Sequence, residues 1–345
     1  MTLIGRRFLF AHGHITFLGE GMVTTSWGDG YYVEITDRVY NVCWNGYNHR
    51  FTFNADYTWY YSIRIEPFDL DYTHGSWVDP PPSSPWVSCQ LAGGIGNRLF
   101  QLAAALGLAE RLKRRVVFYR PVNTGLSHQS SDHIYSLFPE IQQVDAEDSM
   151  IVYEPDGKQF SYTLQDLATE KNILLFGYRQ HMQYFPSYSI CPSFPSYTIP
   201  DVYKLGSGEE KRISWFIHVR LGDYLNYNEL NHITVYSYHQ HIICKIPQGA
   251  NILVFSNEPE RAMAMLQGVS ERNFTLCDEI DECKSLFLMS QCWGGAIAVN
   301  STFSWWGSYF AYHSTPYKWD YKAYFPKQWK CGVDGIIDAP WAIIH

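Results

Sequence analysis

Although the chain has eight cysteines among its 345 residues, no two form a C-x-x-C pair. Cys43, Cys89, Cys191, Cys244, Cys277, Cys283, Cys292 and Cys331 are scattered, so zinc-type spacing is excluded. In a chain of this length they read as reduced, buried thiols rather than a disulfide framework. Nowhere do about 18 apolar residues run together. The opening stretch, MTLIGRRFLFAHGHITF, is broken by His and Gly and lacks the uninterrupted core of a secretion signal. The expectation is a soluble, cytoplasmic protein with no membrane anchor of its own. The sequons at Asn273 and Asn300 then have no glycosylating compartment and read as structural.

Positive charge is also scarce. Lys and Arg number 26 against 34 Asp and Glu, a formal net charge of −8. The one basic run spans residues 111–115, and at a helix end such a cluster complements the helix dipole. A nucleic-acid partner would need a broad basic face to displace counterions, so that class is excluded. Aromatic residues, by contrast, are abundant: 17% of the chain, with 26 Tyr and 12 Trp. Flat rings with a polar tip suit sugars, and they equally build β-rich cores.

Three segments follow one another. Residues 1–79 read as a small all-β domain, with strands over 22–25, 30–35, 39–44, 49–53 and 57–65. Turn signals at Trp27-Gly-Asp-Gly30, Asn45-Gly46 and Asn54-Ala-Asp56 punctuate them. Residues 80–85, Pro-Pro-Pro-Ser-Ser-Pro, make a stiff linker that continues neither helix nor strand.

After the linker, β and α alternate. A strand over 86–92, a tight loop at 93–96, a helix over 97–115 and a strand over 116–119 form a right-handed β-α-β start. A second run has strands over 213–219, 252–256, 273–277 and 296–299. Helices over 228–244, 260–266, 282–292 and 304–312 separate and follow them. The fold expected is α/β, with two Rossmann-like halves over 86–205 and 206–345 facing a cleft. Ligands of such sheets bind beyond the carboxyl ends of the strands. Residues 318–345 read only as a closing segment.

The polar residues gather at those strand ends. Gly93-Gly-Ile-Gly-Asn-Arg98 offers glycines that admit a close ligand and a helix start with free N–H groups. His218-Val-Arg-Leu-Gly-Asp-Tyr224 leaves a strand with His218 and Arg220 on one face and Val219 turned to the core. Arg220 presents a planar five-donor fork suited to a diphosphate, or else pairs with Asp223 to close the loop. Phe255-Ser-Asn-Glu258 is another polar strand end. In Val299-Asn-Ser-Thr-Phe-Ser-Trp-Trp-Gly307 a strand runs into a helix whose cap, drawn from Asn300, Ser301 and Thr302, would double as an anion site.

Taken in order, Gly93–Gln101, Gly177-Tyr-Arg-Gln-His-Met-Gln-Tyr-Phe185, His218–Tyr224 and Asn300–Gly307 resemble the motifs of the α-1,2-fucosyltransferases (glycosyltransferase family 11). The resemblance covers roughly residues 86–330, and the last motif is its most specific part. It implies a GT-B fold and an inverting, metal-independent transfer of L-fucose from GDP-β-L-fucose to a glycan hydroxyl, giving an α-fucoside. The acceptor position expected is O2 of a galactose-like residue. Carried over motif by motif, Arg220 clamps the diphosphate and His218 helps hold the nucleotide. Gly94, Gly96, Ser256, Asn257, Glu258, Asn300, Ser301, Thr302, Phe303 and Ser304 line the donor site. Asn97 orients the acceptor or leaving group. Inversion also needs a proton acceptor, for which Asp223 is the nearest carboxylate in the motifs and Glu258 another.

The chain departs from the family at Arg98, where Gln is usual, and at Asn257-Glu258, where an Asp pair is common. At Ser285 it lacks the usual acid before Leu-x-Leu-Met-Ser, so either Asp281 or Glu282 substitutes in reading the guanine or base selectivity is relaxed. The β domain lies outside the resemblance; gripping the acceptor, self-association and tethering are its open roles. The rival readings are a carbohydrate-binding protein with an inactive transferase domain and a GT-B enzyme of another linkage.

Overall fold

A computed structural model describes residues 3, 6–10, 13–54, 57, 59–66, 72–76, 85–119, 133–139, 141–144, 149–153, 167, 171–194, 199–206, 208–222, 235–268, 270, 272–278, 281–326 and 339–344. The linker up to residue 84, Asp223 and Cys331 lie outside the described residues. The chain divides into two compact units. One comprises Met1–Gly93, Arg98–Arg179 and Gln183–Pro195; the other comprises Gly94–Asn97, Gln180–Met182 and Ser196–His345.

The first unit opens with an antiparallel sheet of eight strands in chain order. These are β1 (Arg7–Phe10), β2 (Gly13–Phe17), β3 (Met22–Thr25) and β4 (Gly28–Thr36). Then come β5 (Val39–Trp44), β6 (Tyr47–Phe53), β7 (Trp59–Glu66) and β8 (Tyr72–Ser76). Strict alternation makes β5 a half-buried strand, with Tyr40, Val42 and Trp44 turned inward. They join Phe8, Phe10, Phe17, Phe51, Phe53 and Tyr60 in one aromatic interior. Strands β1 and β8 also lie against each other, so the sheet curls into a half-barrel. The sequence signal for β1, β2 and β8 is weak, and none of the three is among the expected strands.

The same unit continues with β9 (Trp86–Cys89), α1 (Ile95–Leu112), β10 (Arg115–Val116), β11 (Phe118–Tyr119) and α2 (His133–Leu137). After these come β12 (Gln143–Val144), β13 (Ser149–Tyr153) and β14 (Asn172–Phe176). Four strands form a parallel sheet in the order β10-β9-β14-β13, and β11 pairs with β12. Ala104, Ala105, Leu108 and Ala109 of α1 cover Val87, Cys89, Ile173 and Leu175. The strand expected over 116–119 is split at Val117, whose N–H bonds Val87 while the chain moves on to a new partner.

The second unit is built on six parallel strands: β15 (Ser214–Val219), β16 (Asn251–Ser256), β17 (Phe274–Leu276), β18 (Gly295–Ile297), β19 (Lys322–Phe325) and β20 (Ala342–Ile344). Its helices are α3 (Gly208–Arg212), α4 (Val235–Ile242), α5 (Pro259–Gln267), α6 (Glu282–Ser290) and α7 (Thr302–Ser314). The spatial order is β17-β16-β15-β18-β19-β20. Numbered within the unit this is 3-2-1-4-5-6, the doubly wound Rossmann order. The stretch from residue 318, read from sequence only as a closing segment, thus supplies two strands of the sheet.

In helix α7, Trp305 and Trp306 are both fully buried. Removing either ring would cost about 3–5 kcal/mol. Gly307 follows them because a Cβ there would stand 2.4 Å from the Met289 sulfur of α6. The Trp-Trp-Gly half of the most specific motif is therefore core.

Seven cysteines are free thiols among the described residues. Five are buried as expected, but Cys43 is half-buried and Cys244 exposed. No helix among the described residues is long and apolar enough to cross a membrane.

Candidate functional site

Strands β15 and β18 are sheet neighbours, although three α-helices and two strands among the described residues separate them in sequence. The gap beyond their carboxyl ends is the topological switch point, where open α/β sheets leave room for a ligand. Alternation along β15 sends Trp215, Ile217 and Val219 into the core with Tyr238 and Ile242 of α4 and Ala262 and Leu266 of α5. His218 turns the opposite way, and its ring centroid lies 5.5 Å from that of Phe303 in the first turn of α7.

His218 is only 5% exposed, and its Nδ1 has no hydrogen-bond partner. Burial first, then the charge of Arg220 and the neighbouring His239, pushes its pKa down to about 3. It is therefore a neutral imidazole, buried with one ring nitrogen unpaired. Such a group is costly unless something occupies the place beside it. Arg220 stands just past the strand, half-buried, as the sequence placed it.

The start of α7 is uncapped. Ser301 takes the N-cap position with extended backbone, but its side chain makes no capping bond. The N–H groups of Thr302, Phe303 and Ser304 therefore have no intrahelical acceptor, and the helix dipole adds positive potential there. The cap expected at Ser301 is not made by its side chain. The Thr302 hydroxyl instead donates to Asn97 Oδ1 at 2.9 Å.

Asn97 arrives through the first turn of α1, which begins two residues earlier than its apolar spacing suggested. Gly96 explains the contact: a Cβ there would lie 2.6 Å from the Phe303 nitrogen and from the Thr302 carbonyl carbon. Two helix starts thus touch backbone to backbone. Gly94 is exposed, and its carbonyl accepts from the Asn97 N–H at 3.0 Å. Sequence reasoning assigned no role to Gln180, whose Nε2 donates to Asn97 Oδ1 at 2.8 Å. Its signals were its place in the Gly177–Phe185 motif and its position, a polar side chain shortly after the carboxyl end of β14.

Several expected donor-site residues are occupied by the backbone around them. Asn257 Oδ1 accepts from the Leu221 N–H at 2.9 Å and its Nδ2 donates to the Leu221 carbonyl at 3.1 Å. The amide so clamps the loop leaving β15 to the end of β16. Gly222 sits beneath it at φ +67°, where a Cβ would meet Asn257 Nδ2 at 2.9 Å and Glu258 Oε1 at 3.0 Å. Ser256 Oγ accepts from the Glu258 N–H, and Glu258 pairs with Arg261 at 3.1 Å. The Ser304 hydroxyl accepts from the Val299 N–H at 3.3 Å and lies 3.1 Å from the Ser301 carbonyl.

On the β17 side, Asp281 caps α6 by accepting from the Lys284 N–H at 2.8 Å. Ser285 donates to the Asp281 carbonyl at 2.9 Å. Asp278 accepts from the Tyr203 phenol at 2.8 Å, which helps hold that phenol up at about 12, after burial. Asp223 lies outside the described residues. No group of three or more potential metal ligands occurs among the described residues.

No protein-family model and no curated protein matches the sequence. Among solved structures, the chain is similar to POFUT1 in complex with GDP, at 13% identity and a TM-score of 0.42, over 72% of this chain and 99% of that one. It is similar to an Arabidopsis thaliana FUT1 variant in complex with GDP at 11% identity and a TM-score of 0.35, over 72% of this chain and 71% of that one. A third is the iron-containing dodecameric glycosyltransferase TibC of enterotoxigenic E. coli, at 12% identity and a TM-score of 0.38, over 91% and 81%. These likenesses are distant.

Proposed function

We propose that the chain is an inverting fucosyltransferase that moves L-fucose from GDP-β-L-fucose to a glycan hydroxyl, O2 of a galactose-like residue in the first instance. The observation that carries the reading is the uncapped start of α7, pressed against the start of α1 and flanked by the buried, unpaired Nδ1 of His218. The start of α7, whose first N–H groups have no intrahelical acceptor, forms an anion site, and Arg220 adds a fork of donors suited to a diphosphate. The motif resemblance, independently of this geometry, supplies the sugar nucleotide.

In this reading the acceptor oxygen attacks the anomeric carbon as the bond to the β-phosphate oxygen breaks, and the configuration inverts. Charge grows on the departing GDP. Arg220, the N–H groups of Thr302, Phe303 and Ser304, and the Asn97 amide meet it without having to reorient, which is how preorganised donors lower a barrier. These groups supply the positive potential a metal would otherwise bring. Asp223 accepts the acceptor's proton. Residues 206–345 hold the donor, residues 86–205 the acceptor, and residues 1–79 are an accessory domain joined by the linker at 80–85. Exposed Trp27, Tyr31 and Tyr47 give that domain sugar-sized platforms.

The test is release of GDP from GDP-fucose, with and without a galactoside acceptor, by the wild type and by Arg220→Ala. The wild type is expected to turn over and the variant to lose on the order of 100-fold or more in kcat/KM. A wild type that neither binds GDP nor turns over the donor would sink the reading.

A further inference from the structure

An asparagine side chain has an acceptor end and a donor end, and the surroundings of Asn97 fix which faces where. Its Oδ1 receives Gln180 Nε2 at 2.8 Å and Thr302 Oγ1 at 2.9 Å. Both lone pairs are used by donors from segments 83 and 205 residues away. The two N–H groups of Nδ2 are thereby turned from these partners, at the place where the two helix starts meet. We infer that Gln180 is a positioning residue: together with Thr302 it locks the Asn97 amide so that its donors face the sugar diphosphate. The identity of that ligand rests on the transferase reading; the locked amide does not.

The segment carrying Gln180 is held on both sides. Arg179, directly before it, is fully buried in the left-handed region at φ +49°. Its guanidinium lies over the Tyr184 ring at 5.3 Å. A non-glycine residue keeps such a conformation only where its surroundings over-determine it. Three and five residues after Gln180, the carbonyls of Gln183 and Phe185 accept from Arg111 Nη2 at 2.7 Å and 3.1 Å. Gly107 lets the Tyr184 carbonyl come so near that a Cβ would stand 1.9 Å away.

This anchoring matters for the chemistry. A freely turning amide would present its oxygen to the departing phosphate part of the time and repel it. Fixed beforehand, Nδ2 meets the growing charge as a donor in every turnover.

The test reverses the polarity of the contact. In Gln180→Glu the carboxylate can only accept, so Asn97 must turn Nδ2 toward it and Oδ1 toward the ligand. Gln180→Leu merely removes the donor, and Thr302→Val removes the other one from the helix side. With GDP-fucose, kcat is expected to fall on the order of 10- to 100-fold in Gln180→Glu and less in the other two, while the affinity for GDP changes only a few-fold. Activity of Gln180→Glu should return as pH is lowered and the carboxyl protonates into a donor; Gln180→Leu should show no such return.

A second readout is independent of turnover. In the full chain labelled with nitrogen-15 asparagine, the Asn97 side-chain amide signal is identified by its loss in Asn97→Asp. It should move in Gln180→Glu and move back at lower pH, with or without GDP. Identical pH profiles for Gln180→Glu and Gln180→Leu, or an Asn97 signal that stays in place, would overturn the inference. A wild type without turnover would sink the transferase reading instead, and the amide signal would still decide the role of Gln180.

Discussion

Thr302, the first residue of one helix, donates its hydroxyl at 2.9 Å to Asn97, in the first turn of another helix 205 residues away in sequence. The bond is possible because Gly96 has no side chain to hold the two starts apart. Gly96→Ala would place a methyl 2.6 Å from backbone atoms of Thr302 and Phe303, which are not free to swing aside. Overpacking of this kind costs about 1–3 kcal/mol. The expected outcome is a lower midpoint in thermal unfolding and a GDP affinity reduced about tenfold or more, read by titration calorimetry. Unchanged GDP binding in a folded Gly96→Ala would show that the junction is structural only.

The parts of this arrangement differ in how legible they are from sequence. Alternation gave away β15, with Val219 inward and His218 facing the other way, because a parallel strand leaves the core at its carboxyl end. The polar ends of β15 and β16 and the loop beyond β18 were visible for the same reason. What the spacing could not show is which polar groups the backbone consumes. Ser256, Asn257 and Ser304 looked like ligand contacts, yet each is engaged by a main-chain group a few residues or one strand away. Gln180 lay inside the quoted Gly177–Phe185 motif, but its role escaped notice because its partner Asn97 is 83 residues distant and no local pattern announces a long-range bond. The tail from residue 318 hid two strands because its Trp, Tyr and Pro mask the period-two signal.

Acid should unfold this protein by way of its buried histidines. His49 packs on Trp44 in the half-barrel with centroids 4.7 Å apart. Its pKa is pushed to about 3 by burial and then by Arg64. His313, half-buried at the surface of α7, falls to about 3 through desolvation and Lys318, and the buried His218 behaves alike. Each is neutral when folded, while the unfolded chain takes up protons near pH 6.5. The unfolded state therefore binds more protons between about pH 6.5 and 3. The contribution of these groups is fully present above that window and is lost as pH falls through it, a few kcal/mol per residue at the lower end. Urea unfolding at pH 7.5, 6, 5 and 4 should show stability dropping steadily. His49→Phe should flatten the slope, and an identical slope in that variant would refute the assignment.

Asn257 offers a choice between two roles that stability and binding tell apart. Its amide satisfies both the N–H and the carbonyl of Leu221, and Gly222 is shaped to pass beneath it. Asn257→Leu would leave both groups unpaired, at a cost of about 1–3 kcal/mol in urea unfolding. Because the clamped loop carries Arg220 at its start, turnover should fall as well, through a misplaced guanidinium rather than a lost contact. Asn257→Asp keeps the acceptor for the Leu221 N–H but loses the donor, so it should fall between wild type and Asn257→Leu in both measurements. The motif resemblance instead implies a direct contact with the sugar nucleotide. That alternative predicts the opposite pattern: Asn257→Leu as stable as wild type but with GDP affinity lost. A matched decline in stability and turnover across the two variants, with GDP affinity changed least, makes Asn257 the clamp of the loop that presents Arg220.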